Sequence, residues 1–422
     1  MSPNRRIVSS NQVSCERRVP VNLRNSGDHD AKMLISQRIR KSPFHHLSQE
    51  AGAWCYTTYN RIYHPRAYIP KEEGGLLKEY EYLTEHVSMW NVAVERQIQV
   101  IGSDAAKFVD LVITRSVDKI SPRTARYVIL CNQYGGILND PVLLRLSDDE
   151  FWFSLSDSDI GIYLQGIQAV TDYDVDVNEI DVCPVQIQGP KSIDLMVKLF
   201  DDSVKNIPYY GLMETDLNGL KVIISQTGFS TEKGYEIFLY DATIHADEMW
   251  NAVLEAGEEF NLRVIAPGHI RRIEAGILSW GQDIDVETNP YQCGLAWQVD
   301  FSKENFIGKD ALQDITDKGI THKLAGIKMG GKPIDWYPAD FYHVFHDNNV
   351  VGYVTSGFYS PAMGCNIGYA MLPVELTEQG TQLQVKLDDQ YAKELVWAET
   401  VSTPFKKPEA PGTGLSTMGS KL

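Results

Sequence analysis

Residues 225–240 read SQTGFSTEKGYEIFLY. Strand-like runs at 221–226 (KVIISQ) and 234–240 (GYEIFLY) flank a connection rich in Gly, Ser and Thr, the pattern of a β-hairpin. Gly228 and Gly234 reach backbone angles closed to other residues, which lets the chain fold closely around a bound ring. Glu236 stands between Tyr235 and Ile237. A carboxylate in an apolar strand is costly unless it is hydrogen-bonded or faces solvent. A planar heterocycle with two adjacent N–H donors satisfies both of its oxygens at once.

Around this hairpin lie 422 residues, 43% hydrophobic and 23% charged, which is ordinary for a soluble globular protein of two or three domains. No apolar run approaches the length that crosses a bilayer. The net charge of −17 argues against general nucleic-acid binding. Six scattered cysteines without a C-x-x-C pair suggest neither a zinc knot nor a redox motif, and read as reduced thiols of a cytoplasmic protein. His45, His46 and His64 lack ligand spacing, so no metal site is expected. Residues 1–41 are polar and arginine-rich and read as a flexible extension or an arm on a neighbouring subunit. Residues 405–422 read as a flexible tail.

Other stretches carry chemistry. Residues 54–65 (WCYTTYNRIYHP) form a strand-like aromatic run, either core or the wall of a pocket that holds an apolar or cationic methyl group. Residues 134–142 (YGGILNDPV) place Asp140 before Pro141, where Asp starts a turn or serves as a working carboxylate. The run 126–132 reads as one strand. Gln188-Gly189-Pro190 makes a sharp turn after a strand. In RRIEAGILSWGQD (271–283), helical spacing turns Arg272 and Glu274 to different faces. Ser103-Asp104 and Asp157-Ser158-Asp159 are expected to cap the helices that follow them. Beyond about residue 320 the strands are short and turn-rich.

Taken in order, these stretches resemble the aminomethyltransferase family typified by the T-protein of glycine cleavage. The likeness rests on Thr227-Gly228-Phe229 with Gly234-Tyr235-Glu236-Ile237, on Gly135-Gly136-Ile137 with Asp140, on Gln188-Gly189-Pro190, on the run from Arg272 to Asp283, and on 352–361. It spans roughly 42–404, with Asn91 where the family usually has Asp. It implies an α+β fold: two intertwined antiparallel sheet-plus-helix domains over 42–320, and a C-terminal β-barrel domain over 321–404. It implies an enzyme that transfers a one-carbon group to tetrahydrofolate. Carried onto this chain, Asp140 is the catalytic carboxylate near N5, where it stabilises developing positive charge. Glu236 grips the pterin. Tyr235, Arg272, Tyr127, Gln188 and Trp280 are further folate contacts, with Arg272 either solvated or anchoring a carboxylate. Tyr59, Asn60, Phe229 and Phe238 form the donor wall.

The spellings Tyr59-Asn60 and Asn139-Asp140-Pro141 are similar to the dimethylsulfoniopropionate demethylase branch. A sulfonium leaves as a neutral thioether and needs no general acid, only alignment with N5 and exclusion of water. That branch more typically has Trp and Tyr where this chain has Phe229 and Phe238. A methylated amine (glycine betaine, dimethylglycine) or a methoxy-aromatic acid therefore stays open as donor, the latter needing an acid such as Tyr59. No Gly-x-Gly-x-x-Gly follows an N-terminal strand, so no flavin domain is expected. A non-catalytic folate-binding regulatory protein is the alternative of another class. The expected partners are tetrahydrofolate and a small methyl donor, with a homodimer left open.

Overall fold

The aromatic run folds as a hairpin, β1 (Cys55–Tyr59) against β2 (Ile62–Ala67). Its turn sets Asn60 and Arg61 at φ of 48° and 60°, the left-handed pair a tight hairpin requires. The computed structural model describes residues 36–338 and 340–406. Of the expected extension 1–41 and tail 405–422, residues 1–35 and 407–422 lie outside these residues. In the described parts Arg40 bridges Ile62 and pairs with Glu179 at 2.8 Å, and Phe405 packs on Tyr369, so these residues are tied to the body.

β3 (Val87–Asn91) is buried along its whole length, as a central strand must be. The chain then leaves its sheet to build another from β4 (Gln97–Ile101), β5 (Thr124–Tyr127), β8 (Val142–Arg145), β9 (Glu150–Ser154) and β10 (Asp176–Glu179), with β6 (Leu130–Cys131) and β7 (Ile137–Asn139) as a separate pair. The second sheet is antiparallel in the order β10-β4-β9-β8-β5. The run 126–132 is thus two strands. Tyr127 pairs with Val142, but the next partner is Pro141, which has no N–H to give and ends the ladder; its carbonyl accepts from Val128 at 3.1 Å.

The chain then returns with β11 (Val182–Gln188), β12 (Leu212–Leu217), β13 (Leu220–Ser225), β14 (Gly234–Tyr240) and β15 (Leu262–Val264). The six-stranded sheet runs β12-β13-β14-β11-β3-β15. It is antiparallel except where β15 lies parallel to β3, because the helix Ala242–Gly257 carries the chain across before β15, as parallel neighbours demand. That helix buries Ala246, Met249, Trp250 and Val253 against Val185, Ile187, Tyr235 and Ile237. The other face of the sheet meets the inserted sheet through Phe238, Ile223, Trp152, Leu144 and Ala125. The two expected caps do not form. Asp104 instead bonds Lys107 at 2.7 Å and the Asp174 N–H at 3.1 Å, and Asp159 pairs with Arg96 at 3.1 Å.

The last six strands, β16 (His322–Met329), β17 (Tyr342–His346), β18 (Asn349–Ser360), β19 (Cys365–Pro373), β20 (Gln382–Lys386) and β21 (Val396–Val401), close a barrel in the order β16-β19-β18-β17-β20-β21. The fold is α+β, two intertwined sheet-plus-helix units followed by this barrel. Among the described residues no helix is long and apolar enough to cross a membrane.

Candidate active site

β13 and β14 pair from Val222↔Leu239 to Ser225↔Glu236, so the organising hairpin forms as its sequence indicates. Its glycines serve a different purpose from the expected one. Gln188 fills the space beside both: a Cβ on Gly228 or Gly234 would lie 2.1 Å from its Nε2. The amide is held there, Nε2 donating to the Thr227 carbonyl at 3.2 Å and Oε1 accepting from the Ser230 hydroxyl at 2.8 Å. Gly234→Ala is therefore expected to destabilise the protein by about 1–3 kcal/mol through overpacking. The control Gly166→Ala, in a helix with open space beside it, gains about 0.5–1 kcal/mol. Denaturant unfolding of both variants measures the contrast.

Glu236 is 3% exposed. Its Oε1 accepts from Gln186 Nε2 at 2.6 Å and its Oε2 from the Thr227 hydroxyl at 2.8 Å. Gln186 is its direct partner across β11 and β14. The Gln186 Oε1 is buried and, among the described residues, accepts no hydrogen bond, yet the residue lines the cleft. An unmet acceptor thus sits beside a carboxylate, an edge suited to a ligand with adjacent N–H donors. Burial pushes the Glu236 carboxyl above its ordinary range. Glu95, which accepts from Ser154 at 3.2 Å, is raised well above its range by burial and then by the Glu236 charge.

Asp140 follows β7 on the inserted half of the molecule. Its Oδ2 accepts from the Tyr127 hydroxyl at 2.9 Å, its Oδ1 accepts from Ser156, and its N–H donates to Ser156 Oγ at 3.2 Å. Asn139 locks the loop by donating to the carbonyls of Ser156 and Ser158 at 3.0 and 3.1 Å. Burial pushes the Asp140 carboxyl up to about 6, against the hydrogen bonds from Ser156 and Tyr127. The Tyr59 phenol is raised well above its ordinary value by burial and then by the charges of Glu95, Asp157 and Asp140.

These groups open into one cavity of 610 Å³. Of the expected site residues, Asp140, Glu236, Tyr127, Trp280, Tyr59 and Phe229 line it, and Trp280 is fixed by donating to the Ile137 carbonyl at 3.0 Å. Tyr235, Gln188, Arg272, Asn60 and Phe238 do not. Strand alternation turns Tyr235 to the opposite face from Glu236, into the core under the helix Ala242–Gly257. Phe238 shares the Glu236 face, but Trp152 and Leu144 of the inserted sheet cover it. Gln188 is committed to the hairpin loop. Asn60 holds its own turn, its amide donating to the Val94 and Ser156 carbonyls at 3.0 Å each. Arg272 is fully buried, ion-paired to Asp283 and donating to Ser356 at 2.6 Å and Gln282 at 3.1 Å. It joins the body to the barrel.

Sequence reasoning gave no site role to Gln186, Thr227, Glu95 or Arg66, all of which line the cleft. Gln186 had a signal, since it lies on the same strand face as Gln188. Glu95 had another, as an acid closing the apolar run Val92-Ala93-Val94.

Residues 44–303 match the GCVT N-terminal domain, and residues 322–407 match the glycine cleavage T-protein C-terminal barrel domain. The chain belongs to the glycine cleavage T-protein family. Among relatives in this family, it is 32% identical to the dimethylsulfoniopropionate demethylase DmdA of Ruegeria pomeroyi, over 85% of this chain and 96% of that protein. It is 29% identical to an aminomethyltransferase of Alkaliphilus metalliredigens, over 80% of this chain and 91% of that protein. The crystal structure of the glycine cleavage system aminomethyltransferase T from Bartonella henselae has the same fold, with a TM-score of 0.76 at 22% identity, covering 88% of this chain and 99% of that one. As a T-protein family member the chain is a tetrahydrofolate-dependent enzyme that transfers one-carbon groups.

Proposed function

We propose that this protein demethylates a small onium acid, dimethylsulfoniopropionate foremost, by passing its methyl group to N5 of tetrahydrofolate. The observation that carries the reading is that Asp140 and Glu236, held by different sheets, face one aromatic-walled cleft. Glu236 and Gln186 present acceptors that fit the N–H edge of a pterin. Asp140, fixed by Tyr127 and Ser156, stabilises positive charge growing on N5 and accepts the N5 proton as the N–C bond forms and the S–C bond breaks. The thioether leaves neutral, so the high phenol of Tyr59 stays protonated throughout. The faces of Tyr59 and Phe229 attract the sulfonium and help exclude water.

The likeness to the Ruegeria pomeroyi demethylase along nearly its whole length supports the sulfonium donor. A methylated amine such as glycine betaine or dimethylglycine is the second reading, favoured by similar identity to aminomethyltransferases. Purified protein incubated with tetrahydrofolate and each donor, with 5-methyltetrahydrofolate followed, decides between them. Transfer from dimethylsulfoniopropionate well above the amines is the expected result. Folate binding without transfer from any donor would turn the protein into a binding module. Glu236→Gln is expected to weaken tetrahydrofolate binding by about 10- to 100-fold, the loss of one charged hydrogen bond of roughly 1.5–3 kcal/mol, measured by calorimetric titration.

A further inference from the structure

Arg66 lines the cleft with Tyr59 and His64, near the end of β2. Its guanidinium lies 4.2 Å from the centroid of the Tyr337 ring. Its Nη2 faces His269 Nδ1 at 3.3 Å. The Tyr337 hydroxyl donates to the Arg66 carbonyl at 3.2 Å, fixing the backbone below it. The residue is half-buried, and among the described residues it makes no ion pair.

The groups around Arg66 offer it no negative charge in contact. Glu79 is taken up by the N–H groups of Tyr68, Ile69 and Ala266 at 2.7, 3.0 and 2.8 Å. Asp157 accepts the Asn60 N–H at 2.8 Å. His64 and His269 are both held neutral, their pKa values lowered well below the ordinary range by burial and then by neighbouring arginine charge. A guanidinium carries N–H donors in a planar fork that matches a carboxylate. Here that fork is stacked on a ring and, among the described residues, without a counter-ion, in the wall of the cleft. Asp140, Tyr59 and Arg66 line one and the same cleft.

We propose that Arg66 is the anchor for the carboxylate of the methyl donor, so that a small acid bound by its carboxylate presents its activated methyl group toward Asp140. The inference rests on the reading of this protein as a demethylase of a carboxylate-bearing donor. It makes Arg66 a residue that selects onium acids over simple onium ions, which the aromatic wall alone does not distinguish.

Arg66→Met keeps the stem and removes the fork; Arg66→Lys keeps the charge. For Arg66→Met, KM for dimethylsulfoniopropionate is expected to rise about 100-fold with kcat changed far less. The preference for dimethylsulfoniopropionate over trimethylsulfonium, which has no carboxylate, is expected to collapse. Tetrahydrofolate affinity should match the wild type, and Arg66→Lys should recover part of the loss. An unchanged preference between the two donors overturns the proposal, as does a loss confined to tetrahydrofolate binding. Calorimetric titration of 3-(methylthio)propionate into the protein–tetrahydrofolate complex separates this inference from the reading beneath it. If no donor is turned over but the acid still binds in an Arg66-dependent way, the anchor stands and the demethylase reading falls. If the acid binds equally well to Arg66→Met, or not at all to the wild type, the anchor falls.

Discussion

Asp140→Asn is expected to lower kcat/KM for methyl transfer by about 1,000-fold, near 4 kcal/mol of transition-state stabilisation, while tetrahydrofolate affinity changes by no more than about threefold, far below one charged contact. The asymmetry follows from where the side chain sits. Asp140 takes its hydrogen bonds from Tyr127 and Ser156, whereas Glu236 and Gln186 line the cleft from the other sheet. Asparagine keeps the size of the side chain and removes its charge, its basicity and one of its two acceptor oxygens. The pH profile supplies a second signature. With the Asp140 carboxyl pushed up to about 6, it is protonated below that pH and cannot stabilise positive charge on N5. The wild-type kcat/KM should climb as pH rises through about 6 and level off above it, and this limb should vanish in Asp140→Asn. A variant that keeps both full rate and the limb removes Asp140 from the chemistry.

Arg272→Met is expected to destabilise the folded protein by about 3–5 kcal/mol, because it leaves Asp283 charged in a dry interior. The Arg272 and Asp283 side chains are both fully buried. Asp283 also accepts from the Thr355 and Ser356 hydroxyls of the barrel at 2.6 and 2.7 Å, so the orphaned charge would sit at the seam between body and barrel. The paired change Arg272→Met with Asp283→Leu should cost clearly less than the single change, since it removes the uncompensated charge together with its partner. Equilibrium denaturation of the two variants tests this. Equal losses in single and double variants would mean that the seam is held by packing alone.

The hairpin and its acid were legible in the sequence because they are local: alternation sets the face, and glycine with polar turn residues sets the reversal. The barrel and the intertwined units were legible through the likeness of ordered motifs. What stayed hidden is what other parts of the chain cover. Alternation places Phe238 on the face of Glu236, but only the inserted sheet decides that Trp152 closes over one and not the other. The same alternation already set Tyr235 on the far side, so adjacency in a motif was the weaker guide. Arg272 is matched to Asp283 by a loop and to Ser356 by a strand 84 residues away in sequence, which no local pattern announces. Arg66 has no signal in its own segment. Its character comes from Tyr337 and His269, brought to it from the barrel side of the fold and from a later helix.

The way one sheet is threaded through the other bears on how the protein comes off the ribosome. β3 is laid down early, yet the strands that flank it, β11 and β15, begin at Val182 and Leu262. A nascent chain paused just short of Val182 carries a finished inner sheet beside an apolar strand with both edges open. That interval of synthesis is when a chaperone has most to shield.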